Sequence, residues 1–195
     1  MPNLINSSAV EITNENVLST HNYNNWNCDY LTDYIIQTHH EYVKNAILQI
    51  KALTSEVVDS YGATHSELAI IQSLFKQISN EMLLHLKKEE LVLFPYIKKL
   101  NQAKSDLTHV DRPGFGSVKV PARVMETEHE TAGIMMQRLS KLSSNYTPPR
   151  DASDTFRVLY EKLKEFDDDL HVHVHLENDI LHPKAIALEE LILAS

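Results

Sequence analysis

His85 and Glu89 stand four residues apart, and so do His173 and Glu177, 88 positions further on. In a helix that spacing puts both side chains on one face, one turn apart, so each pair offers an imidazole nitrogen and a carboxylate oxygen together. Such donors suit iron, manganese or zinc, and no thiolate is at hand to favour a softer ion. Both pairs run on into the same phrase, Val92-Leu93-Phe94-Pro95 and Ile180-Leu181-His182-Pro183. A lone histidine precedes each: Thr38-His39-His40-Glu41 and Thr127-Glu128-His129-Glu130. His40 lies 45 residues before His85, and His129 lies 44 before His173. Four histidines and two glutamates, supplied symmetrically by a duplicated unit, make the donor set of a dinuclear metal site. With two bridging carboxylates, such a site keeps its net charge when both ions pass from ferrous to ferric, provided an oxygen bridge forms.

Four stretches of helical period must position these donors. The apolar stripe of the first runs Ile36, His40, Val43, Ile47, Ile50, with His39 rotated about 100° away from it. The second opens on Thr64-x-x-Glu67, a capping-box pattern, and its stripe is Ile71, Leu74, Ile78, Met82, His85, Glu89, Val92. Pro95 is expected to end or kink it. Residues 101–120, with Asp111-Arg112-Pro113-Gly114, read as a loop crossing between the halves. Pro121 suits the first turn of a third helix with the stripe Met125, His129, Ala132, Met136, Leu139. Thr147-Pro148-Pro149 breaks the chain again, and Ser153 or Asp154 can cap the fourth helix. Its stripe is Leu159, Leu163, Phe166, Leu170, His173, Glu177, Ile180. Every proposed ligand thus falls on a core position. Two hairpins that cannot bury their stripes alone must pack on each other, so the fold expected is all-α, an up-down four-helix bundle built from two pseudo-repeated helical hairpins.

The 195 residues suit one domain, with 29–195 as the bundle and 1–28, rich in Asn and Ser, as a flexible lead-in. A net charge of −9 argues against nucleic acid and against an anionic membrane surface as partners. No run of 18 apolar residues is present to span a bilayer. The start of the chain has no basic stretch followed by an apolar core, so it does not resemble a secretory leader. Cys28 is the single cysteine, which with the rest points to a reducing, cytoplasmic setting. The oligomeric state is not legible.

H-x-x-x-E alone is a weak signal, since an exposed pair at this spacing is ordinarily a solvated ion pair. The shared tail, the matched spacing and the core placement raise it above that reading. His39, His65, His171, His175 and His182 are expected on the surface or in an outer layer, and His109 in the loop. Asp167-Asp168-Asp169 reads as a solvated face. Glu81 and Glu128 are candidates for acidic groups just outside the ligands, with surface placement as the competing reading.

The segments Thr38-His39-His40, His85-x-x-Lys88-Glu89-Glu90-x-Val92-Leu93-Phe94-Pro95, Glu126-x-Glu128-His129-Glu130 and His173-x-His175-Leu176-Glu177-Asn178-x-Ile180-Leu181 carry a resemblance. Over about Trp26 to Ala187 the chain resembles the hemerythrin-like (HHE) superfamily and, within it, the iron–sulfur cluster repair di-iron proteins, the RIC family of YtfE and ScdA. The resemblance implies a non-haem di-iron centre with an oxo or hydroxo bridge, His40, His85, His129 and His173 as terminal ligands, and Glu89 and Glu177 as bridges. It implies a role in protecting or repairing iron–sulfur clusters under nitrosative or oxidative stress, with nitric oxide (NO) or O2 as small ligand and damaged iron–sulfur proteins as clients. Reduction of NO would make it an enzyme, and donation of iron is the other route. The alternatives are a hemerythrin-like protein that binds or senses O2 or NO without turnover, and a structural zinc or iron-storage bundle. Longer family members carry a preceding domain with paired cysteines. His182 departs from the usual Phe of its phrase, and Tyr61 stands where His is common.

Overall fold

The computed structural model describes residues 22–194. Four long helical rods run through them. The first is α1 (Cys28–Tyr34), a π-helical turn (Ile35–His40) and α2 (Glu41–Tyr61). The second is α3 (Glu67–Lys88), a π turn (Glu89–Leu93) and α4 (Phe94–Asp106). The third is α5 (Lys119–Leu142) alone. The fourth is α6 (Asp154–His175), a π turn (Leu176–Leu181) and α7 (His182–Leu193). Rod one packs on rods two and four, rod three packs on rod two and more lightly on rod four, and α4 packs on α7. This is the up-down bundle that the two stripes per half demand. Among the described residues no helix is long and apolar enough to cross a membrane.

Local chemistry sets the rod ends. The Asn27 side chain accepts the Tyr30 N–H and that of Ser153 accepts the Phe156 N–H, each capping a helix start. α2 stops at Gly62, where a Cβ would stand 2.6 Å from the Val58 carbonyl oxygen. The capping box expected at Thr64 and Glu67 does not form. The Thr64 hydroxyl instead donates to the Tyr61 carbonyl, and Ser66 precedes the helix without a side-chain cap. At the same end His65 Nε2 lies 3.1 Å from Asp151 Oδ2, tying the two short hairpin loops together. At the other end the crossover loop is pinned by Glu189, 3% exposed, which accepts from the Tyr96 hydroxyl, the Ser117 hydroxyl and the Val118 N–H.

The helices do not end at the prolines. α4 continues from Pro95 to Asp106, and α7 continues through Pro183. Each proline follows a π turn, in the first turn of the restarted α-helix, where a missing N–H costs little. The inserted residue also shifts the stripe. Val92, expected inside, is 46% exposed, and Leu93 is buried in its stead.

The core has two parts. One gathers Ile50, Ile71, Phe75, Leu139, Phe156 and Phe166 towards the hairpin loops. The other gathers Leu31, Leu93, Phe94, Ile97, Leu181 and Ala185 towards the crossover. The expected lead-in, 1–28, lies outside the described residues over 1–21. Of its remainder, Tyr23 and Cys28 are buried in this second cluster, with Trp26 packed against it.

Candidate metal centre

Along every rod the proposed ligands fall between residues of the two core clusters. His40 lies between Ile35 and Val43, His85 between Met82 and Leu93, His129 between Met125 and Ala132, and His173 between Leu170 and Leu176. All six side chains converge. His40, Glu89, His173 and Glu177 are 0% exposed, His85 is 1% and His129 is 4% exposed.

Donor atoms of His85, His129, His173 and Glu177 lie within 4.8 Å of one another, and so do those of His40, Glu89, His173 and Glu177. His173 and Glu177 belong to both groups. Glu89 Oε2 stands 3.3 Å from both His40 Nε2 and His85 Nε2, while Glu177 has Oε2 at 3.1 Å from His129 Nε2 and Oε1 at 2.9 Å from His173 Nε2. His85 Nε2 and His129 Nε2 approach to 2.9 Å.

Hydrogen bonding leaves this cluster incomplete. Both oxygens of Glu89, Oε2 of Glu177 and Nε2 of His40 are buried without a hydrogen-bond partner. A buried carboxylate left in that state costs several kcal/mol. Protons answer part of the need. Burial would lower the His40 pKa, but the nearby carboxylates of Glu177 and Glu89 carry it up to about 10. His85 reaches about 9 against the same burial penalty, chiefly through the charge of Glu89. Burial and mutual repulsion work to raise Glu89, and the facing histidines bring it below the usual carboxylate range; Glu177 lies well below it. Cations fit the same place better. Unpaired carboxylate oxygens and imidazole nitrogens aimed at common points are the donors a divalent or trivalent ion accepts.

The outward nitrogens are held as metal-binding imidazoles require, so that Nε2 faces inward. His40 Nδ1 meets Glu90 Oε1 at 2.8 Å, His85 Nδ1 meets Glu128 Oε2 at 3.0 Å, and His129 Nδ1 meets Asn178 Oδ1 at 2.9 Å. Lys44 and Lys88 in turn hold Glu90 and Glu128. His173 Nδ1 is buried without a partner, and the ring of His39 stacks beside His173 at 5.8 Å.

Several sequence expectations change. Glu128 does touch a ligand, but Glu81 is exposed and accepts from Gln77, so it stands outside the centre. Of the two placements expected for His39 and His182, surface or outer layer, their 4% and 1% exposure leaves the second. Asp169 turns inward to His39 Nδ1 at 2.8 Å, and Asp167 accepts the Tyr146 hydroxyl, so that acidic run is not a purely solvated face. Glu90 and Asn178 were missed, although each directly follows a proposed bridging glutamate. His65, His109, His171 and His175 keep outer positions.

Comparison with known proteins fits this geometry. The family model described as Hemerythrin HHE cation binding domain matches residues 31–185. A probable iron-sulfur cluster repair protein of Haemophilus influenzae is 33% identical over 156 residues, covering 80% of this chain and 64% of its own. The iron-sulfur cluster repair protein YtfE of Enterobacter sp. is 30% identical over 160 residues, with 82% and 66% covered. The iron-sulfur cluster repair protein ScdA of Staphylococcus epidermidis is 27% identical over 158 residues, with 81% and 66% covered. The chain thus spans slightly less than two thirds of the length of these relatives.

Proposed function

Since the chain belongs to the hemerythrin HHE cation binding domain family, we propose that it is a cytoplasmic non-haem di-iron protein that protects or repairs iron–sulfur clusters under nitrosative and oxidative stress. The observation that carries this reading is the closure of six buried donors, with unpaired carboxylate and imidazole atoms, around one spot. His40, His85, His129 and His173 would hold the ions from four sides, and Glu89 and Glu177 would bridge them. The names of the relatives support the repair role, and NO is the small ligand whose chemistry suits it. Bound there, a ferrous pair would supply the two electrons by which two NO molecules and two protons become N2O and water.

The protein's own side chains have separate tasks. Glu90, Glu128 and Asn178 fix three imidazole rings, and the two lysines fix the acids behind them. Phe94, stacked on His40 at 5.6 Å, and the core layers on either side keep bulk water out. In such surroundings electrostatic interactions are stronger than in water.

Two measurements test the proposal. Protein purified from iron-replete cells should carry about two irons per chain; zinc alone would refute the di-iron assignment. Rapid mixing of the reduced protein with NO should yield N2O. N2O at background with a stable nitrosyl spectrum would mark a binder or sensor, and transfer of iron to an apo-cluster protein would mark a donor.

A further inference from the structure

Beyond Glu177 the π turn brings one more side chain towards the centre. The backbone N–H of His182 bonds the Glu177 carbonyl, five residues back, so His182 stands one π turn above that glutamate. In the other half the Phe94 N–H bonds the Glu89 carbonyl in the same way, and there the side chain is a phenyl ring stacked on His40. The duplicated scaffold therefore builds two equivalent wall positions and fills one with an apolar ring and the other with an imidazole.

His182 is 1% exposed, and neither Nδ1 nor Nε2 has a hydrogen-bond partner. Glu126 Oε1 lies 3.7 Å from Nδ1, beyond hydrogen-bonding range. Burial holds the ring below its usual pKa, against the charges of Glu177 and Glu89, and His129 acts in the same sense as burial. The ring is thus a neutral group with one N–H to give and one lone pair to offer. Neither is used within the protein, and a phenyl ring would have filled the position without that loss. His182 is also absent from both four-donor groups, so ions held by them leave it outside their coordination.

We infer that His182 is a positioning residue whose N–H donates a hydrogen bond to a small anionic or diatomic ligand held at the metal pair, on the side of His129. The apolar wall at Phe94 offers no such bond, so the exogenous ligand is drawn to the His182 side. This rests on the metal-centre reading above and adds to it which of the two sides receives the ligand.

Azide is the probe. The full chain, loaded with iron and oxidised, is titrated with azide and followed by the absorbance of the complex, with iron per chain measured alongside. His182→Phe should keep its iron and bind azide about tenfold more weakly, the effect of one lost hydrogen bond. His182→Gln keeps a donor and should recover most of the affinity. Unchanged azide binding in fully loaded His182→Phe overturns the inference while leaving the metal centre intact, and so does a fully loaded wild type that forms no azide complex. Loss of iron from His182→Phe also overturns it, by making His182 a ligand. A wild type that takes up no iron refutes the metal-centre reading itself, and this inference with it.

Discussion

In the first half, His40 leans on the carboxylate of Glu90 and a phenyl ring covers its face; in the second, His129 leans on the amide of Asn178 and His182 occupies the place of the phenyl. Glu81 and Asp169, 88 residues apart, part company too: one points to solvent with Gln77, the other turns in to His39. The inner donors stayed alike while their neighbours diverged. The reason is energetic. Each inner carboxylate is fully buried, and its replacement would leave its histidine partners and any bound cation uncompensated. Residues one layer out alter basicity and access by smaller amounts, and so have room to differ between the halves.

The sharpest way to break this comparison is at the bridges. Glu177 takes part in both donor groups and Glu89 in one. Glu177→Ala should therefore lose iron from the whole centre, by more than about 100-fold in affinity, beyond the range seen for outer partners. Glu89→Ala should retain part of the metal. Equal losses, measured as iron per chain, would show the halves to be interchangeable.

One layer out, Glu128→Ala and Glu90→Ala should each weaken metal binding about 10–100-fold. Glu81→Ala should leave it unchanged, and competition with a coloured chelator reads all three. Acidity comes next. With His40 raised to about 10 and His85 to about 9, the metal-free site holds these protons at neutral pH and gives them up only above that range. Metal uptake at pH 7 should then release protons into a weak buffer, and affinity should climb about tenfold per pH unit for each proton displaced, levelling off above pH 10. Release of no protons would contradict the raised values. The smallest effect belongs to the half-exposed lysine, where Lys88→Ala should shift stability by about 0–1 kcal/mol in a urea titration.

The bundle and its six inner donors were legible because periodicity and motif agreed: each donor sits where an apolar residue would otherwise stand. What escaped lies mainly at the π turns, although Ile180, inside one of them, is buried as its stripe expects. Val92 follows Glu89 by three residues and should face inward in an α-helix, yet the extra residue in that turn exposes it and brings in Leu93 and Phe94. Pro95 was expected to end or kink the second helix, and nothing local announced the turn that lets the helix run on to Asp106. His182, expected on the surface or in an outer layer, was not singled out as a wall of the centre, since α-helical spacing does not put a residue five positions on above its glutamate. For Glu81 two readings stood side by side, and its exposed side chain, bonded to Gln77, selects the surface one.

The π turns of rods two and four occupy matching places, 89–93 and 176–181, each containing its glutamate. A π turn at the same point in both rods is what duplication of one helical hairpin would leave. Each half brings three donors, so the two must face each other across a pseudo-twofold axis to complete the set. The phenyl and imidazole at the two walls mark where the halves no longer match.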